Sequence, residues 1–297
     1  MNDSVYAVPH DVTDVSQCYF YHTADIPGYG HVDGQWDLRG GMQEYLGHVD
    51  FKGKRVLEVG TASGFICFHM EKQGAEVVAC DLSENDAWDI VPFATLDYSG
   101  TLARCRQGIK TQNNAYWFCH KANQSRARVV HGSVYAIPDG IGKVDISTFC
   151  SVLLHMRDPF LALATALRLT EETVVVTDLN WSNVIESRPN RFQRLKRKLF
   201  GAAPVQFAHP CAAFSPVPQA EFDPNGWDGW TTWWLLNPEV VCRFLGVLGF
   251  EKTEVSFHKQ KYLDGHVGLF TVVGKRTRQS DSTNEFIKLV RQSMREK

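Results

Sequence analysis

Residues 58–64 are the part of the sequence whose composition and spacing point most directly to chemistry. They read Glu-Val-Gly-Thr-Ala-Ser-Gly and lie between a β-branched run that ends at Val59 and a helical pattern that ends at Gly74. Glycines at such a strand-to-helix turn let the backbone approach a bound ligand and let the helix pack tightly on the sheet. The segment therefore predicts a ligand-binding turn.

The residues of this turn also distinguish between cofactors. The fingerprint of dinucleotide-binding proteins is Gly-x-Gly-x-x-Gly, and counted from Gly60 its second and third glycines are replaced by Ala62 and Phe65. Glu58 at the strand end would repel a pyrophosphate, whereas its carboxylate suits a ligand that carries an ammonium group. The turn matches S-adenosylmethionine better than NAD.

Three further segments follow the ends of predicted strands. Asp81 comes about 20 residues after the turn, where an acid can accept hydrogen bonds from ribose hydroxyls; capping of a helix is the alternative role. Residues 132–135 (GSVY) lie where an adenine would be bound, and residues 150–159 (CSVLLHMRDP) follow the fourth strand. Because ligands of open α/β sheets bind outside the carboxyl ends of the strands, we expect these segments to form one site.

The elements that must position these residues alternate between strands and helices. Apolar runs without polar alternation indicate strands covered on both faces, and Asp158-Pro159 and Asn237-Pro238 indicate helix starts. The predicted strands are residues 54–59, 76–81, 128–132, 144–150 and 173–178. The predicted fold class is α/β, with a doubly wound and mostly parallel sheet.

The domain organisation follows from the segments that depart from this alternation. We expect an N-terminal flap (1–44), a main domain (45–180 and 237–277), an insertion over the active site (181–236) and a C-terminal tail (278–297) with an amphipathic segment at 286–294. An insertion of this length favours a lid or binding loop. It holds six of the twelve prolines and five of the eight tryptophans, four of which cluster at Trp227, Trp230, Trp233 and Trp234.

In this order, the motifs resemble those of the class I S-adenosylmethionine-dependent methyltransferases, over about residues 40–180 and 237–275. SVLLHMRDPFLAL, WDLRG and TTWWLLNPEVV are more specifically similar to the branch that contains the tRNA wobble-uridine carboxymethyltransferase. The resemblance implies a Rossmann-like methyltransferase fold and S-adenosyl-L-methionine as cofactor. It assigns cofactor binding to Glu58, Gly60, Thr61, Gly64, Asp81, Leu82, Ser133, Val134 and Cys150. Ala62 and Ser133 stand where glycine and aspartate are commoner in the family.

Candidates for the acceptor side come from residue chemistry and from the resemblance. His155 is the candidate catalytic base because histidine titrates near neutral pH; the alternative is that it orders its loop. Arg39 binds an anionic substrate group or closes a surface salt bridge, and Trp233 and Trp234 line the acceptor or stabilise the insertion. Placed by analogy, Tyr21 and His22 complete the predicted substrate-binding set, and Tyr19 belongs to the same flap.

Composition and charge exclude several classes of protein. The chain has 297 residues, of which 44% are hydrophobic and 22% charged, which excludes a disordered chain and a small disulfide scaffold. The formal net charge of -2 gives no general attraction to nucleic acid. The eight cysteines form no C-x-x-C pair, so no metal site is expected and the thiols indicate a reduced, cytoplasmic protein. Neither a signal peptide nor a membrane span is expected.

Three functions remain open on the sequence. The first is methyl transfer to a small acceptor that is apolar, aromatic or anionic. The second is tRNA wobble-base (carboxy)methylation, which a basic run favours, although a solvated helix face is the alternative for such a run. The run is Arg188, Arg191, Arg194, Lys196, Arg197 and Lys198. The third is a non-catalytic cofactor-binding module. The expected partner is a small molecule rather than nucleic acid or membrane; the methylated atom, the ordinary or carboxylated form of the cofactor and the oligomeric state stay open.

Overall fold

The structure is a computed structural model that describes residues 5–181, 210–215, 228–279 and 281–295. Most of the predicted insertion, including Trp227 and the basic run at 188–198, lies outside the described residues. The described strands are β1 (Ala24–Ile26), β2 (Gly30–Val32), β3 (Trp36–Asp37), β4 (Arg55–Val59), β5 (Glu76–Asp81), β6 (Arg128–His131), β7 (Val144–Cys150), β8 (Thr170–Leu179), β9 (Ala212–Phe214), β10 (Trp234–Leu236), β11 (Lys252–Tyr262) and β12 (Gly265–Lys275).

Helices alternate with these strands through the main part of the chain. The described helices are α1 (Met42–Tyr45), α2 (Phe65–Lys72), α3 (Tyr98–Ala122), α4 (Pro159–Leu167), α5 (Asp228–Thr231), α6 (Pro238–Val247) and α7 (Asp281–Arg295). A short 3-10 turn, Leu153–His155, connects β7 to α4. The amphipathic segment predicted at 286–294 lies within α7, whose Ile287 is buried in the core.

The main sheet has the strand order β3-β11-β12-β8-β7-β4-β5-β6. Strands β8, β7, β4, β5 and β6 are parallel, whereas β12 is antiparallel to both β8 and β11. This arrangement confirms the predicted doubly wound, mostly parallel sheet. The order reverses at β4, which has β5 on one side and β7 on the other, and such switch points open a crevice at the carboxyl ends of the strands. The predicted ligand-binding turn follows β4 directly.

The sheet is buried on both faces, as the uninterrupted apolar strand runs predict. Leu57 of β4 belongs to a core cluster that includes residues of α4 and α6, whereas its neighbour Val56 belongs to a second cluster with residues of α2 and α3. Successive side chains of a strand point to opposite faces, so one strand contributes to both layers. The carboxyl edge of the sheet is therefore held in place by helices on each side.

Local sequence signals fix several helix starts. Asp158 Oδ1 accepts a 2.9 Å hydrogen bond from the Leu161 amide, and Asn237 Oδ1 accepts one of 3.0 Å from the Val240 amide. In each case a proline occupies the first turn. These contacts confirm the two predicted helix starts, because an N-cap side chain satisfies an otherwise unbonded helix amide.

Three large elements were not predicted from the sequence, namely helix α3 and the two strands of the hairpin β11–β12. Helix α3 is polar along much of its length and buries scattered positions such as Cys105, Ile109 and Tyr116, so it lacks a strong apolar period. Strand β11 is exposed over most of its length, and its hairpin with β12 therefore lacks an apolar run on one side. Helix α3 packs on residues of distant segments, and β11 is held by pairing with β12 and, at its end, with β3.

Candidate cofactor and acceptor site

The predicted ligand-binding turn depends on backbone conformations that favour glycine. Gly60 has a φ of 81°, and a Cβ there would lie 3.0 Å from Cγ2 of Val152. Gly64 has a φ of 84°, and its Cβ would lie within 3 Å of the Phe68 and Tyr116 rings. These glycines let β4, the turn and α2 come together without side-chain clashes. Ala62, between these glycines, also adopts a positive φ of 49°.

Asp81 is bound to this turn. Its Oδ2 accepts a 2.8 Å hydrogen bond from the Ala62 amide, and its Oδ1 accepts one of 2.7 Å from the Leu82 amide. Burial raises the pKa of the carboxyl group. A carboxylate has about four lone-pair sites, so two backbone donors leave capacity for ligand hydroxyls.

Glu58 is a buried acid directly before the turn. It is 1% exposed, and neither carboxylate oxygen has a hydrogen-bond partner among the described residues. Burial raises its pKa to about 7. An ionised carboxylate in such a place is costly unless a cationic group accompanies it. The arrangement therefore fits a ligand with an ammonium group, which is the chemistry expected from the sequence.

The segment predicted to bind an adenine follows β6. A cavity of about 260 Å³ at the carboxyl ends of β5 and β6 is lined by residues that include Cys80, His131, Gly132 and Ser133. The Ser133 hydroxyl accepts a hydrogen bond of 3.3 Å from the Tyr135 amide and so begins a short turn in which Val134 is buried. The turn therefore places Ser133 beside a cavity next to β5.

Cys150 ends β7 and is buried. Burial raises the pKa of its thiol well above the ordinary value, so the thiol stays neutral at physiological pH. Cofactor contact and plain core packing are both compatible with this position.

His155 lies at the end of the 3-10 turn that follows β7. Its Nδ1 is 2.9 Å from the carbonyl oxygen of Thr231. A carbonyl can only accept, so Nδ1 carries the proton, and in the neutral ring the lone pair then lies on Nε2. This contact orders the turn, as one alternative expects, and it also fixes the tautomer that a general base requires.

The described tryptophans between residues 228 and 234 separate into two groups. Trp230 is 2% exposed and packs in a small core cluster with Ile90 and Cys105. Trp233 donates its indole N–H to the Asp89 carbonyl over 2.7 Å, and Trp234 donates to the Arg157 carbonyl over 3.0 Å. Trp233 and Trp234 therefore donate side-chain hydrogen bonds to the segments that follow β5 and β7.

His22 lies beside the first residue of α2, and Tyr21 contacts His22. The His22 ring stacks on Phe65 with centroids 5.7 Å apart and 26° between the planes. Burial lowers its pKa to about 3, so the ring is neutral, and its Nδ1 has no hydrogen-bond partner in the described part of the chain. The Tyr21 hydroxyl accepts a 3.2 Å hydrogen bond from the Trp36 indole. The N-terminal segment thus contacts the residue next to the ligand-binding turn.

Arg39 has acidic partners on the protein itself. Its Nε is 2.8 Å from Asp37 Oδ1, and its Nη1 is 2.8 Å from Asp25 Oδ2. The guanidinium holds the pKa of Asp37 at about 2. These ion pairs match the alternative in which Arg39 closes a surface salt bridge rather than binding a substrate.

Asp178 is a further buried acid at the same edge and was not predicted from the sequence. It is 2% exposed; Oδ1 accepts a 2.7 Å hydrogen bond from the Leu179 amide, and Oδ2 has no partner within the described ranges. Burial raises its pKa to about 7. Its position at the end of an apolar strand run was the signal that could have identified it. Tyr45 and Ser151 were also not predicted from the sequence. Their hydroxyl oxygens are 3.0 Å apart beside the end of β7.

The described residues lack a metal-binding cluster and a membrane-spanning helix. They contain no group of three or more His, Cys, Asp or Glu side chains that could hold a metal ion. No helix among them is both long and apolar enough to span a membrane.

Comparison with known proteins found likeness to solved structures only. No family model matches the chain, and no curated protein matches it. The N-terminal domain of EvdMO1, crystallised with SAH and D-fucose, is 16% identical over 86% of this chain and 90% of that chain, with a TM-score of 0.45. Magnesium protoporphyrin IX methyltransferase (ChlM) from Synechocystis PCC 6803, with bound SAH, is 11% identical over 81% of this chain and 82% of that chain, with a TM-score of 0.42. The S-adenosylmethionine-dependent methyltransferase SibL in its apo form is 15% identical over 81% of this chain and 56% of that chain, with a TM-score of 0.43.

Proposed function

We propose that this protein transfers a methyl group from S-adenosyl-L-methionine to a small organic acceptor. The observation that carries the proposal is the state of Glu58, a buried carboxylate with no hydrogen-bond partner among the described residues, directly before the ligand-binding turn. A buried acid in this state needs a proton or a cationic partner. The ammonium group of the cofactor's methionine part is such a partner.

The remaining cofactor contacts follow from the positions along the sheet edge. Asp81 would accept hydrogen bonds from the ribose hydroxyls, and Ser133 and Val134 would contact the adenine. Gly60 and Gly64 keep the turn open to the ligand, and Thr61 and Leu82 flank these contacts. When bound, the cofactor supplies a methyl group already activated by its sulfonium, so no metal is required for the transfer.

NAD is a poorer match to the same residues. A pyrophosphate next to β4 would lie close to Glu58, whose negative charge repels it. Ala62 adds a Cβ where the dinucleotide fingerprint has its second glycine, and Phe65 replaces the third. The turn therefore favours a ligand with a positive group over one with two phosphates.

On the acceptor side, the protein's contribution is to orient the acceptor, exclude water and move a proton. Trp233 and Trp234 are proposed to form an apolar wall over the acceptor. His155 is proposed to take the proton at Nε2, since Nδ1 is held by the Thr231 carbonyl. Tyr21 and His22 would close the site from the N-terminal side. By holding the acceptor in line with the methyl group, these residues would speed the transfer through positioning.

Modification of tRNA is the second candidate, and the basic run at residues 188–198 favours it. The net charge of -2 opposes it, because an RNA surface requires a broad basic face. Filter binding of tRNA at low and moderate salt separates the two candidates. Tight binding that weakens steeply with salt would overturn the small-molecule proposal.

Calorimetry is the first test of the proposal. S-adenosylhomocysteine is expected to bind and NAD is expected not to, and Glu58→Gln should weaken S-adenosylhomocysteine binding because the amide carries no charge to pair with the ammonium group. Binding of NAD, or equal affinity of wild type and Glu58→Gln, would contradict the assignment. A panel of small acceptors with methyl-labelled cofactor then tests turnover: binding without turnover on any acceptor would indicate a non-catalytic cofactor-binding module.

A further inference from the structure

Asp89 lies between β5 and α3, outside every segment that the sequence predicted to form the site. Its carboxylate oxygen Oδ2 accepts a short hydrogen bond from the Tyr135 hydroxyl and a 2.8 Å hydrogen bond from the Arg157 amide. Its backbone carbonyl accepts the Trp233 indole N–H over 2.7 Å. One residue thus contacts three separate segments.

These three segments are the ones to which the proposed function gives roles. Tyr135 directly follows Ser133 and Val134, the proposed adenine-binding pair. Arg157 comes two residues after His155, and Trp233 belongs to the proposed acceptor wall. Asp89 therefore connects the cofactor side of the site to the acceptor side.

Additional hydrogen bonds connect the same segments to each other. The Tyr135 hydroxyl also accepts from the Asp158 amide over 3.1 Å. The Trp233 amide donates to the Leu154 carbonyl over 2.8 Å, immediately before His155. The turn that carries His155 is thus attached to Asp89 and Tyr135 on one side and to the tryptophan segment on the other.

We propose that Asp89 is a positioning residue, which holds the His155 turn and Trp233 at a fixed place relative to the adenine-binding turn. The inference rests on the proposed function for the roles of those segments. Without the carboxylate, the Tyr135 hydroxyl and the Arg157 amide lose their shared acceptor, and the His155 turn can shift. A shift of about 1 Å at a reacting group can lower turnover by about 100-fold.

The test uses three variants of the full chain. Asp89→Ala removes the shared acceptor. Asp89→Asn keeps a side-chain oxygen that can accept from both donors, so it should restore most of the function. Asp97→Ala is the matched control: it lies in the same connecting segment, but its carboxylate accepts from the Gly100 amide at the start of α3. It reports loss of stability alone.

Turnover and affinity are measured together. In Asp89→Ala, the turnover number is expected to fall by about 100-fold while S-adenosylhomocysteine affinity changes little, because the shift affects alignment more than binding. Asp89→Asn and Asp97→Ala should keep turnover near that of the wild type. Equal losses in Asp89→Ala and Asp97→Ala at equal change in melting temperature would overturn the positioning role.

A second readout does not depend on methyl transfer. Hydrogen exchange of the Trp233 indole N–H, measured without ligand, should accelerate by about tenfold or more in Asp89→Ala, whereas the Trp36 indole should exchange as in wild type. Unchanged exchange at Trp233 overturns the proposal whatever the activity. Faster exchange in a protein that transfers no methyl group would instead overturn the proposed function. If Asp89→Ala fails to fold, Tyr135→Phe is measured instead, because it removes one of the same hydrogen bonds. The same changes in turnover and exchange are expected of it, and the same results would overturn the proposal.

Discussion

The backbone amide of Ala62 donates a 2.8 Å hydrogen bond to Oδ2 of Asp81, so the acid at the end of β5 is bound to the turn that follows β4. Ala62 adopts a positive φ of 49°, which is unfavourable for a residue with a Cβ. The hydrogen bond offsets part of that cost. Asp81 therefore shapes the turn in addition to its proposed contact with the ribose.

Asp81→Ala should weaken S-adenosylhomocysteine binding. A lost hydrogen bond to a charged group costs roughly 1.5–3 kcal/mol, which is about 10- to 150-fold in affinity. Asp86→Ala is the control, because the Asp86 carboxylate accepts from Ser83 and lies in the adjacent segment. Calorimetry that shows the same affinity for Asp81→Ala and wild type would remove Asp81 from the site.

Gly60→Ala tests the turn itself. Its φ of 81° disfavours a side chain, and the added Cβ would lie 3.0 Å from Val152. Gly53→Ala is matched for conformation, with a φ of 69°, but its Cβ would have nothing within 4 Å. Both variants should lose roughly 1–2 kcal/mol of stability, and only Gly60→Ala should bind S-adenosylhomocysteine more weakly. Equal affinity in the two variants speaks against ligand binding at this turn.

The stability of the unliganded protein should decrease with rising pH because of Glu58. Burial raises the pKa of its carboxyl from the ordinary 4.5 to about 7. The folded state therefore holds a proton that the unfolded chain releases. The contribution of this proton to the free energy of unfolding is fully present below pH 4.5 and is lost as the pH rises through 7. The total loss is about 3 kcal/mol. Chemical denaturation between pH 4 and pH 8 measures it, and Glu58→Gln should flatten this dependence.

Asp178 provides the matched control for Glu58. Burial raises its pKa to about 7 as well, and it lies on β8, two strands away from β4. Asp178→Asn should reduce the pH dependence of the free energy of unfolding by a similar amount and leave the affinity for S-adenosylhomocysteine unchanged. If both substitutions weaken S-adenosylhomocysteine binding equally, Glu58 has no special relation to the ammonium group.

Two substitutions of His155 distinguish a base from a loop-ordering residue. The side-chain amide of His155→Asn can still donate to the Thr231 carbonyl in place of Nδ1, but it offers no basic nitrogen. If His155 is a general base, turnover should fall by about 100-fold in both His155→Asn and His155→Gln. The affinity for the cofactor should stay unchanged in both variants. Single-turnover rates and melting temperatures of both variants measure this. Near-normal turnover in His155→Asn would assign the histidine to loop ordering.

The acceptor wall is tested by Trp234→Ala. Removing the indole should raise the KM of the acceptor by about tenfold or more, the scale of a lost aromatic anchor, and leave the Kd of S-adenosylhomocysteine nearly unchanged. Phe257→Ala is the control because Phe257 is an exposed aromatic residue of β11. An unchanged acceptor KM would place Trp234 in the packing of the insertion alone.

The sequence by itself determined those features that depend on neighbouring residues. The apolar runs specified β4, β5 and β7, and Asp158 and Asn237 specified two helix starts through side-chain contacts three residues away. Parallel strands connected by helices leave few alternatives to a doubly wound sheet, so the fold class followed. The glycines between residues 60 and 64 were recognisable because only glycine adopts such conformations without cost.

Tertiary structure alone decided the contacts between distant segments. The bond from Ala62 to Asp81 and the partners of Asp89 each require the strand order, which brings residues about 20 to 140 positions apart to one edge of the sheet. The burial of Glu58 and Asp178, and with it their raised pKa values, depends on the helices that cover both faces. Local sequence encodes which side chains can do chemistry, whereas their desolvation and mutual distances are properties of the packed chain.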